Sequence, residues 1–281
     1  MSQLLVDRRP DGVEVITGPG RNGYQSGNLV FRLPGGPGAG RVLKVYRRRK
    51  GLMSDLLAAF SARVIEGKTG VTAATRCATE ARLCRLWREQ GFDVPELLEG
   101  ERPDWVGDHP INVFEFIPGE VLHDIVAEDR RPVAERDRLL RTLGEQTRAR
   151  HQRAMELGEP ALLQEHATIK HVLVSGDAPS ERLVTFDLEA AYRPGMDVFA
   201  AVVQELSSLL RSAWFGGDLA DSAAAALVDG YGDDELMARA CREYFSDKLR
   251  WRIKRRADRR YRARRSKTAA MALLAERLGV R

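Results

Sequence analysis

The order in which strand-like and helix-like segments follow one another limits the fold of this chain more than any single motif does. Short apolar and β-branched runs at 13–16, 28–33 and 41–46 predict three strands, joined by glycine-rich connections at 17–27 and 34–40. Glycine permits positive φ angles and a close approach of the backbone to a ligand. The chain therefore begins with a β-meander whose connections suit ligand contact.

The pattern turns helical over 52–90, and two further strand-like segments follow at 92–100 and 111–120. The second of these ends in the turn Pro118-Gly119. This turn is the predicted connector to the rest of the chain.

Beyond the connector, helical periodicity dominates. It predicts helices over 133–157, 197–215, 219–229 and 234–266. The exception is 170–191, where two apolar runs flank a polar, glycine-containing turn and predict a β-hairpin.

These segments predict an α+β fold of two lobes with a cleft between them. Residues 1–117 form a small β-rich lobe, and residues 118–281 form a helical lobe that carries the hairpin. Of the 281 residues, 43% are hydrophobic and 30% are charged, which excludes disorder of the whole chain.

The sequence gives no indication of membrane insertion or export. It contains no run of about 18 apolar residues, and its start lacks the features of a signal peptide. The thiols of Cys77, Cys84 and Cys241 show neither CxxC pairing nor a histidine-rich partner segment. We expect reduced, mostly buried cysteines in a cytoplasmic protein.

Charge is concentrated at one end of the chain. Residues 241–281 contain 15 Lys and Arg against four acidic residues, whereas the whole chain carries a formal net charge of only +5. The segment alone is therefore +11 (15 minus 4), and the first 240 residues are −6 (5 minus 11). An anionic partner is accordingly predicted for this segment and not for the body of the protein.

Three charged residues stand in an order that indicates a nucleotide site. Lys44 lies in the third predicted strand, Glu80 in the helix that follows, and Asp187 directly after the apolar run Leu-Val-Thr-Phe. Taken singly, each has a plain structural interpretation: a solvated strand cation, an exposed helix carboxylate and a cap of the next turn. A charge at the end of a buried strand nevertheless needs a compensating partner.

The order of these elements resembles the protein-kinase-like fold. The resemblance implies that Lys44 contacts the α- and β-phosphates of ATP, Glu80 holds Lys44, and Asp187 binds Mg²⁺. We expect Lys44 and Asp187 to face each other across a gap of nucleotide size.

The resemblance also assigns residues to the phosphate loop and to the connector. Gly20, Gly23 and Gly27 would cover the phosphates, although their spacing does not match GxGxxGxV. The backbone carbonyl of Glu115 and the N–H of Phe116 would meet the adenine edge.

Later segments resemble the bacterial lipopolysaccharide core kinases, which phosphorylate heptose or Kdo sugars. The supporting segments are LGEQTRARHQRAMELG, QEHATIKHVLV (164–174) and RLVTFDLEAA (182–191), in that order. This family commonly has a histidine in place of the catalytic-loop asparagine. His171 fits that position and would bind metal or phosphate.

The catalytic loop departs from the family pattern. The aspartate position falls on His166, so that Gln164-Glu165-His166 replaces the family's His-Arg-Asp; a gapped alignment places Thr168 there instead. A neutral imidazole at His166 could accept the hydroxyl proton, and Glu165 is a second substitute. Alternatively, His166 is structural and the protein is a weak or inactive member of the family.

The basic segment 242–267 has a narrow apolar stripe. Its members recur every four residues: Phe245, Leu249, Ile253, Ala257 and Tyr261. We expect this stripe to dock on the helical lobe or on an anionic membrane surface; the other interpretations are nucleic-acid binding, for which there is little support, and a merely solvated basic face.

The resemblance implies a phosphotransferase that uses ATP and Mg²⁺ and acts on a lipopolysaccharide-core sugar or a similar anionic glycolipid. Such a protein would work in the cytoplasm, peripherally at the inner face of the cytoplasmic membrane. Two alternatives remain open: a pseudokinase that serves as a scaffold, and a soluble kinase for small molecules such as antibiotics or choline.

Overall fold

The structure is a computed structural model and describes residues 2–17, 28–35, 40–47, 68–69, 72–178, 180–215, 223–260 and 266–280. The chain divides into two compact units: Met1–Pro118 with Phe186–Ala191, and Gly119–Thr185 with Tyr192–Arg281. The sequence placed residues 186–191 in the second lobe, whereas the structure groups them with the first. Asp187 consequently belongs to the same unit as Lys44 and Glu80.

The first unit is built on a sheet with one long helix. Its elements are α1 (Ser2–Asp7), β1 (Glu14–Thr17), β2 (Leu29–Leu33), β3 (Arg41–Val45), β4 (Lys68–Thr69), α2 (Ala73–Glu89), β5 (Leu97–Leu98) and β6 (Ile111–Glu115). Strands β1, β2, β3, β6 and β5 form one antiparallel sheet in that order.

Side-chain alternation along β3 separates an apolar face of the sheet from a polar one. Leu43 and Val45 are fully buried and pack in the apolar core with Leu29 and Phe31. Lys44 pairs in register with Val30 on β2 and Asn112 on β6. The lysine therefore projects from the opposite face of the strand.

Helix α2 carries its own N-terminal cap. Thr72 and Thr75 form a reciprocal capping box, in which each side chain accepts a hydrogen bond from the other residue's backbone N–H. Leu83 and Trp87 are buried on the inner face of the helix, together with the polar residues Arg76 and Glu80. The burial of these two charged residues indicates that this face does more than fill the core.

The second unit is mainly helical. Its elements are β7 (Glu120–Val121), α3 (Leu122–Ala127), α4 (Val133–Leu157), β8 (Val172–Ser175), β9 (Arg182–Thr185), β10 (Ala191–Tyr192, at the unit boundary), α5 (Val198–Ala213), α6 (Ala223–Tyr231), α7 (Asp234–Phe245), α8 (Leu249–Arg260) and α9 (Lys267–Arg277). Strands β7, β8 and β9 form an antiparallel sheet, so the predicted hairpin is present.

Two glycines allow α4 and α6 to approach closely. A Cβ atom on Gly144 would lie 2.3 Å from the carbonyl oxygen of Leu227, and one on Gly230 would lie 2.0 Å from that of Arg141. Neither distance is sterically permitted, so the contact between these helices requires glycine on both sides.

The basic carboxyl-terminal region differs from the prediction. The sequence indicated one helix over 234–266, but α7 ends at Phe245 and α8 begins at Leu249. Within the described ranges, no helix combines the length and the apolarity needed to cross a lipid bilayer.

Candidate active site

Lys44 is the centre of a buried charge cluster in the first unit. Its ammonium lies 2.7 Å from Oε2 of Glu80 and also contacts Oδ1 of Asp187. Burial by itself lowers the pKa of Lys44, but the carboxylates of Glu80, Asp187 and Glu189 outweigh burial and hold it above its usual value. The lysine is therefore a fixed positive charge.

The direct contact between Lys44 and Asp187 differs from one sequence expectation. The two groups were predicted to face each other across a gap of nucleotide size, whereas here they touch. The residues that the prediction paired are thus brought together, and more closely than expected.

Helix α2 and strand β6 hold Glu80 in place. The carboxylate of Glu80 accepts a hydrogen bond from the Tyr46 hydroxyl, which in turn accepts one of 2.9 Å from Nδ2 of Asn112. Burial raises the pKa of Glu80, while the charge of Lys44 opposes that effect. Glu80 is accordingly a buried partner of the lysine, and the alternative of an exposed helix carboxylate is wrong.

Asp187 adopts an unusual backbone conformation. Its φ angle is 63°, in the left-handed region that a non-glycine residue rarely occupies. Such strain persists where the surrounding structure imposes it, and it is common at functional sites. Here it accompanies a half-buried carboxylate aimed at Lys44.

A third carboxylate at this site, that of Glu189, was missed by the sequence reasoning. Oxygen atoms of Glu80, Asp187 and Glu189 all lie within 4.8 Å of one another, an arrangement that could hold a metal ion. Carboxylate oxygens are the ligands that Mg²⁺ prefers. The available signal was the spacing in Asp187-Leu188-Glu189, where a buried leucine separates two acidic side chains.

Glu189 is fixed by Arg76, another residue that the sequence reasoning did not single out. Nη1 of Arg76 lies 3.0 Å from Oε2 of Glu189 and donates a hydrogen bond of 2.8 Å to Oδ1 of Asn28. The other terminal nitrogen of Arg76 donates to the carbonyl of Arg47. Arg76 precedes Glu80 by one helical turn, so both lie on the same face of α2. This face therefore holds Lys44 through Glu80 and holds Glu189 through Arg76.

The predicted adenine contacts lie at the end of β6. The N–H of Phe116 donates a hydrogen bond of 2.8 Å to the carbonyl of Gly40, so the predicted contact with adenine would require this bond to open. The Phe116 ring stacks under the Arg32 guanidinium at 4.0 Å. The N–H of Glu115 donates to the carbonyl of Glu96. Gly20, Gly23 and Gly27 lie outside the described residues.

In the second unit, a buried ion pair anchors the segment that contains the predicted catalytic loop. Arg150 on α4 lies 2.6 Å from Oε1 of Glu205 on α5 and donates to the carbonyl of Leu162 at 2.9 Å. The carboxylate of Glu205 also accepts the backbone N–H of Gln164 at 2.9 Å. Burial alone raises the pKa of Glu205, but Arg150 and His151 lower it to about 2. An ionised Glu205 thereby fixes the backbone directly before Glu165.

His166 and Glu165 form a close pair at the end of this anchored segment. Nε2 of His166 lies 2.7 Å from Oε2 of Glu165, and the exposed side-chain fractions are 58% and 2% respectively. The imidazole thus faces solvent while its carboxylate partner is buried. Thr168, the other residue aligned with the catalytic position, uses its hydroxyl to cap the turn Ile169–His171.

His166 and His171 line the same cavity of about 520 Å³ in the second unit. The described lining includes three formal cations, Lys170, Arg211 and Lys267, and the aromatic residues Trp214 and Phe215. None of the described lining residues is acidic. The cavity is thus suited to an anionic molecule with an apolar face.

The basic helix α8 docks through a different face than predicted. Trp251 is buried, and its indole N–H donates to Glu243 at 2.8 Å. Leu249 and Ile253 of the predicted stripe are 69% and 46% exposed. The expectation that the stripe docks on the helical lobe is therefore wrong for these two residues; Tyr261 lies outside the described residues.

The sequence of this chain matches a known enzyme family. Residues 27–278 match the phosphotransferase enzyme family, APH. The chain therefore belongs to this family of kinase-like phosphotransferases. This membership, a β-rich first unit and a helix-rich second unit confirm the predicted α+β kinase-like fold.

Solved structures similar to this chain include the following three. WaaP in complex with acyl carrier protein is 18% identical, with a TM-score of 0.48, over 94% of this chain and 88% of that one. The kinase domain of maize SIRK1, a sucrose-induced receptor kinase bound to AMP-PNP, is 13% identical, with a TM-score of 0.40, over 99% and 96%. The Rio2 kinase from Chaetomium thermophilum is 12% identical, with a TM-score of 0.39, over 90% and 73%. No curated protein matches the sequence.

Proposed function

We propose that this protein transfers the γ-phosphoryl group of Mg²⁺-ATP to a hydroxyl of a lipopolysaccharide-core sugar or a similar anionic glycolipid. The observation that carries the proposal is the buried pairing of Lys44 with Glu80 beside Asp187. Phosphoryl transfer depends mainly on positioning and charge stabilisation, and both require fixed charges of this kind.

The first unit supplies groups for the nucleotide and the metal. Lys44, held by Glu80, would contact phosphate oxygens. Asp187 and Glu189 would hold Mg²⁺, which would supply positive charge against the phosphates. The carboxylate cluster fits the ion because its donors are hard oxygens within 4.8 Å of one another. Glu115 and Phe116 remain candidates for the adenine edge, His171 for metal or phosphate, and Gly20, Gly23 and Gly27 for the phosphate loop.

The cavity of the second unit supports an anionic acceptor. Its described lining carries Lys170, Arg211 and Lys267 beside Trp214, which suits a sugar that has a ring face and a phosphate or carboxylate. A kinase for cationic antibiotics or for choline would need acidic groups at this position. The charge of the cavity therefore weighs against the small-molecule alternative.

A transfer assay with labelled ATP and isolated core oligosaccharide tests the proposed reaction. We expect Mg²⁺-dependent incorporation of label by the wild-type chain and its loss in Lys44→Ala, because the ammonium that orients the phosphates is removed. Arg82→Ala, an exposed substitution on α2, serves as the control. If Mg²⁺-ATP causes no thermal shift of the wild-type protein, nucleotide binding is refuted together with transfer.

A scaffold role without turnover is the second candidate. It is favoured by His166, because the position that carries a carboxylate in related kinases carries an exposed imidazole here. This candidate predicts that ATP shifts the melting temperature, whereas no acceptor becomes labelled even after prolonged incubation.

We also propose that α8 brings the enzyme to an anionic membrane surface. Leu249, Arg252, Ile253 and Arg256 share one face of the helix and are exposed, so apolar and cationic groups project together. Each basic residue near such a surface contributes about 1 kcal/mol. A peripheral position at the inner face of the cytoplasmic membrane would follow.

Vesicle flotation tests the membrane proposal. Removal of the whole segment is unsuitable, because Trp251 and Met271 are part of the core of the second unit. The variant Leu249→Ser/Ile253→Ser should float less with phosphatidylglycerol vesicles than the wild type and should keep its melting temperature. Equal flotation of both proteins would exclude a role for this face.

A further inference from the structure

We propose that Glu165 and His166 act together as the base of the transfer reaction, with His166 as the catalytic residue and Glu165 as the residue that positions it. This inference rests on the proposed phosphotransferase function and assigns a role in it to a residue, Glu165, that the family pattern does not use. The imidazole–carboxylate pair would replace the single carboxylate of related kinases.

Glu165 and His166 are in close contact but differ in their exposure to solvent. Glu165 is 2% exposed, so its carboxylate can serve a reaction in the cavity only through a neighbour. That neighbour is His166, whose Nε2 lies 2.7 Å from Oε2 of Glu165 and whose ring lines the cavity. The 2.7 Å separation is short enough for a hydrogen bond, but the present angle does not form one, so the ring must turn into line with the carboxylate. In that position the carboxylate favours the proton on Nε2, which leaves the lone pair of Nδ1 to accept another proton.

The pair is placed on a rigid support. The backbone N–H of Gln164, the residue immediately before Glu165, donates to the buried carboxylate of Glu205 at 2.9 Å. Arg150 completes this anchor through Glu205 and the carbonyl of Leu162. A base held on an anchored backbone loses little conformational entropy on reaching the reactive geometry.

The proposed transfer forms one phosphorus–oxygen bond and breaks another. The acceptor hydroxyl oxygen forms a bond to the γ-phosphorus of the nucleoside triphosphate, and the bond from that phosphorus to the β–γ bridging oxygen breaks, so that the electron pair leaves with ADP. The hydroxyl proton passes to Nδ1 of His166. The resulting imidazolium is stabilised by the negative charge of Glu165 and returns its proton to water after the product leaves.

Steady-state kinetics with labelled ATP and isolated core oligosaccharide test the pair. We expect His166→Ala to lower kcat by about 10²–10⁴-fold without changing KM for ATP, and His166→Asp to recover most of the loss, because an aspartate restores a carboxylate base. His109→Ala, a histidine of the first unit outside the site, should behave as wild type. Equal kcat for His166→Ala and wild type overturns the proposal and leaves the phosphotransferase function standing. No transfer by the wild-type chain contradicts both.

A double-mutant cycle separates positioning by Glu165 from a structural role. Glu165→Gln should lower kcat in the wild-type background but should cause no further loss in His166→Ala, because the carboxylate acts only through the imidazole. A full additional loss in the double variant would overturn the positioning role.

The tautomer of His166 gives a readout that is independent of activity. Long-range ¹H–¹⁵N NMR should find the neutral ring protonated on Nε2 in the wild-type protein and a mixture of tautomers in Glu165→Gln. A ring protonated on Nδ1 in the wild-type protein would overturn the proposed path of the proton.

Discussion

At the scale of single residues, Asp187 combines a strained backbone with the chemistry proposed for the site. Its φ angle of 63° is tolerated by Asp and Asn better than by most residues. Replacement by asparagine therefore preserves the backbone conformation and removes only the carboxylate charge. Any loss of function in that variant can be assigned to charge.

The first prediction follows from this property. Asp187→Asn should keep the melting temperature of the wild type to within a small change and lower phosphoryl transfer by about 10²–10³-fold, the typical effect of removing one preorganised electrostatic group. Transfer is measured with labelled ATP, and stability is measured by thermal unfolding. Transfer at the wild-type rate would remove Asp187 from the site.

The second prediction concerns the contribution of Arg76 to stability. Its guanidinium and the carboxylate of Glu189 are both buried and lie 3.0 Å apart, so Arg76→Met leaves an uncompensated charge inside the first unit. We expect the free energy of unfolding in urea to fall by about 3–5 kcal/mol. The exposed Arg82 on the same helix provides the matched control, since Arg82→Met should change this free energy by less than about 0.5 kcal/mol. Equal effects of the two substitutions would contradict the assigned burial of the pair.

The residues also show what the sequence could predict about the site. Lys44 was predictable because strand alternation assigns each side chain to a face, and Asp187 because a charge follows a buried run. The pair of Arg150 and Glu205 was not, because 55 residues separate its members and each lies in a helix that contains other polar residues. Contacts of this kind depend on how the helices pack, which periodicity does not specify.

At the scale of elements, the contact between α4 and α6 depends on two glycines. Alanine inside a helix is normally about 1 kcal/mol more favourable than glycine. At Gly144 and Gly230, however, a Cβ atom would lie 2.3 and 2.0 Å from backbone carbonyl oxygens of the other helix. Packing and intrinsic helix propensity therefore act in opposite directions here.

The third prediction decides between these two effects. Gly144→Ala should reduce the free energy of unfolding by about 1–3 kcal/mol, because the helices must move apart to accept the methyl group. Glu145→Ala, on the exposed side of the same helix turn, is the control and should have little effect. Stabilisation by Gly144→Ala would show that propensity prevails and that the helices can separate at little cost.

The break between α7 and α8 shows where element prediction failed. Apolar residues recur every four positions through Phe245 and Leu249, so periodicity indicated one continuous helix. In the structure, Glu243 accepts hydrogen bonds from Lys248, Arg250 and the Trp251 indole, which turns the chain and buries the tryptophan. Burial of the Trp251 side chain is therefore more favourable than a continuous helix that extends the apolar stripe. The spacing of apolar residues along the sequence does not show which of these two arrangements is more stable.

At the scale of the whole molecule, buried ionisable groups couple folding to pH. Burial lowers the pKa of His151, despite the opposing charge of Glu205, so the folded protein keeps this ring neutral where the unfolded chain takes up a proton. Glu205 shows the complementary case: although burial by itself raises its pKa, Arg150 and His151 bring it down to about 2 from an ordinary 4.5. At each of these two groups, the unfolded chain binds a proton at a higher pH than the folded protein does.

The fourth prediction is therefore a loss of stability on acidification in two steps. Below about pH 6.5, His151 takes up a proton in the unfolded chain but stays neutral in the folded protein. This difference begins to reduce the free energy of unfolding. Between about pH 4.5 and 2, the folded protein loses the stabilisation that ionised Glu205 provides, which is on the order of 3 kcal/mol.

Urea titrations at a series of pH values measure both steps. His151→Gln should reduce the upper step without abolishing it, because burial also lowers the pKa of His109. The lower step should remain in this variant, and Glu181 and Glu243, whose pKa values are lowered as well, add to it. A wild-type free energy that stays constant from pH 4.5 to 2 would contradict the anchoring role of Glu205. Because Glu205 also fixes the backbone before Glu165, we expect transfer activity to be lost no later than this lower step.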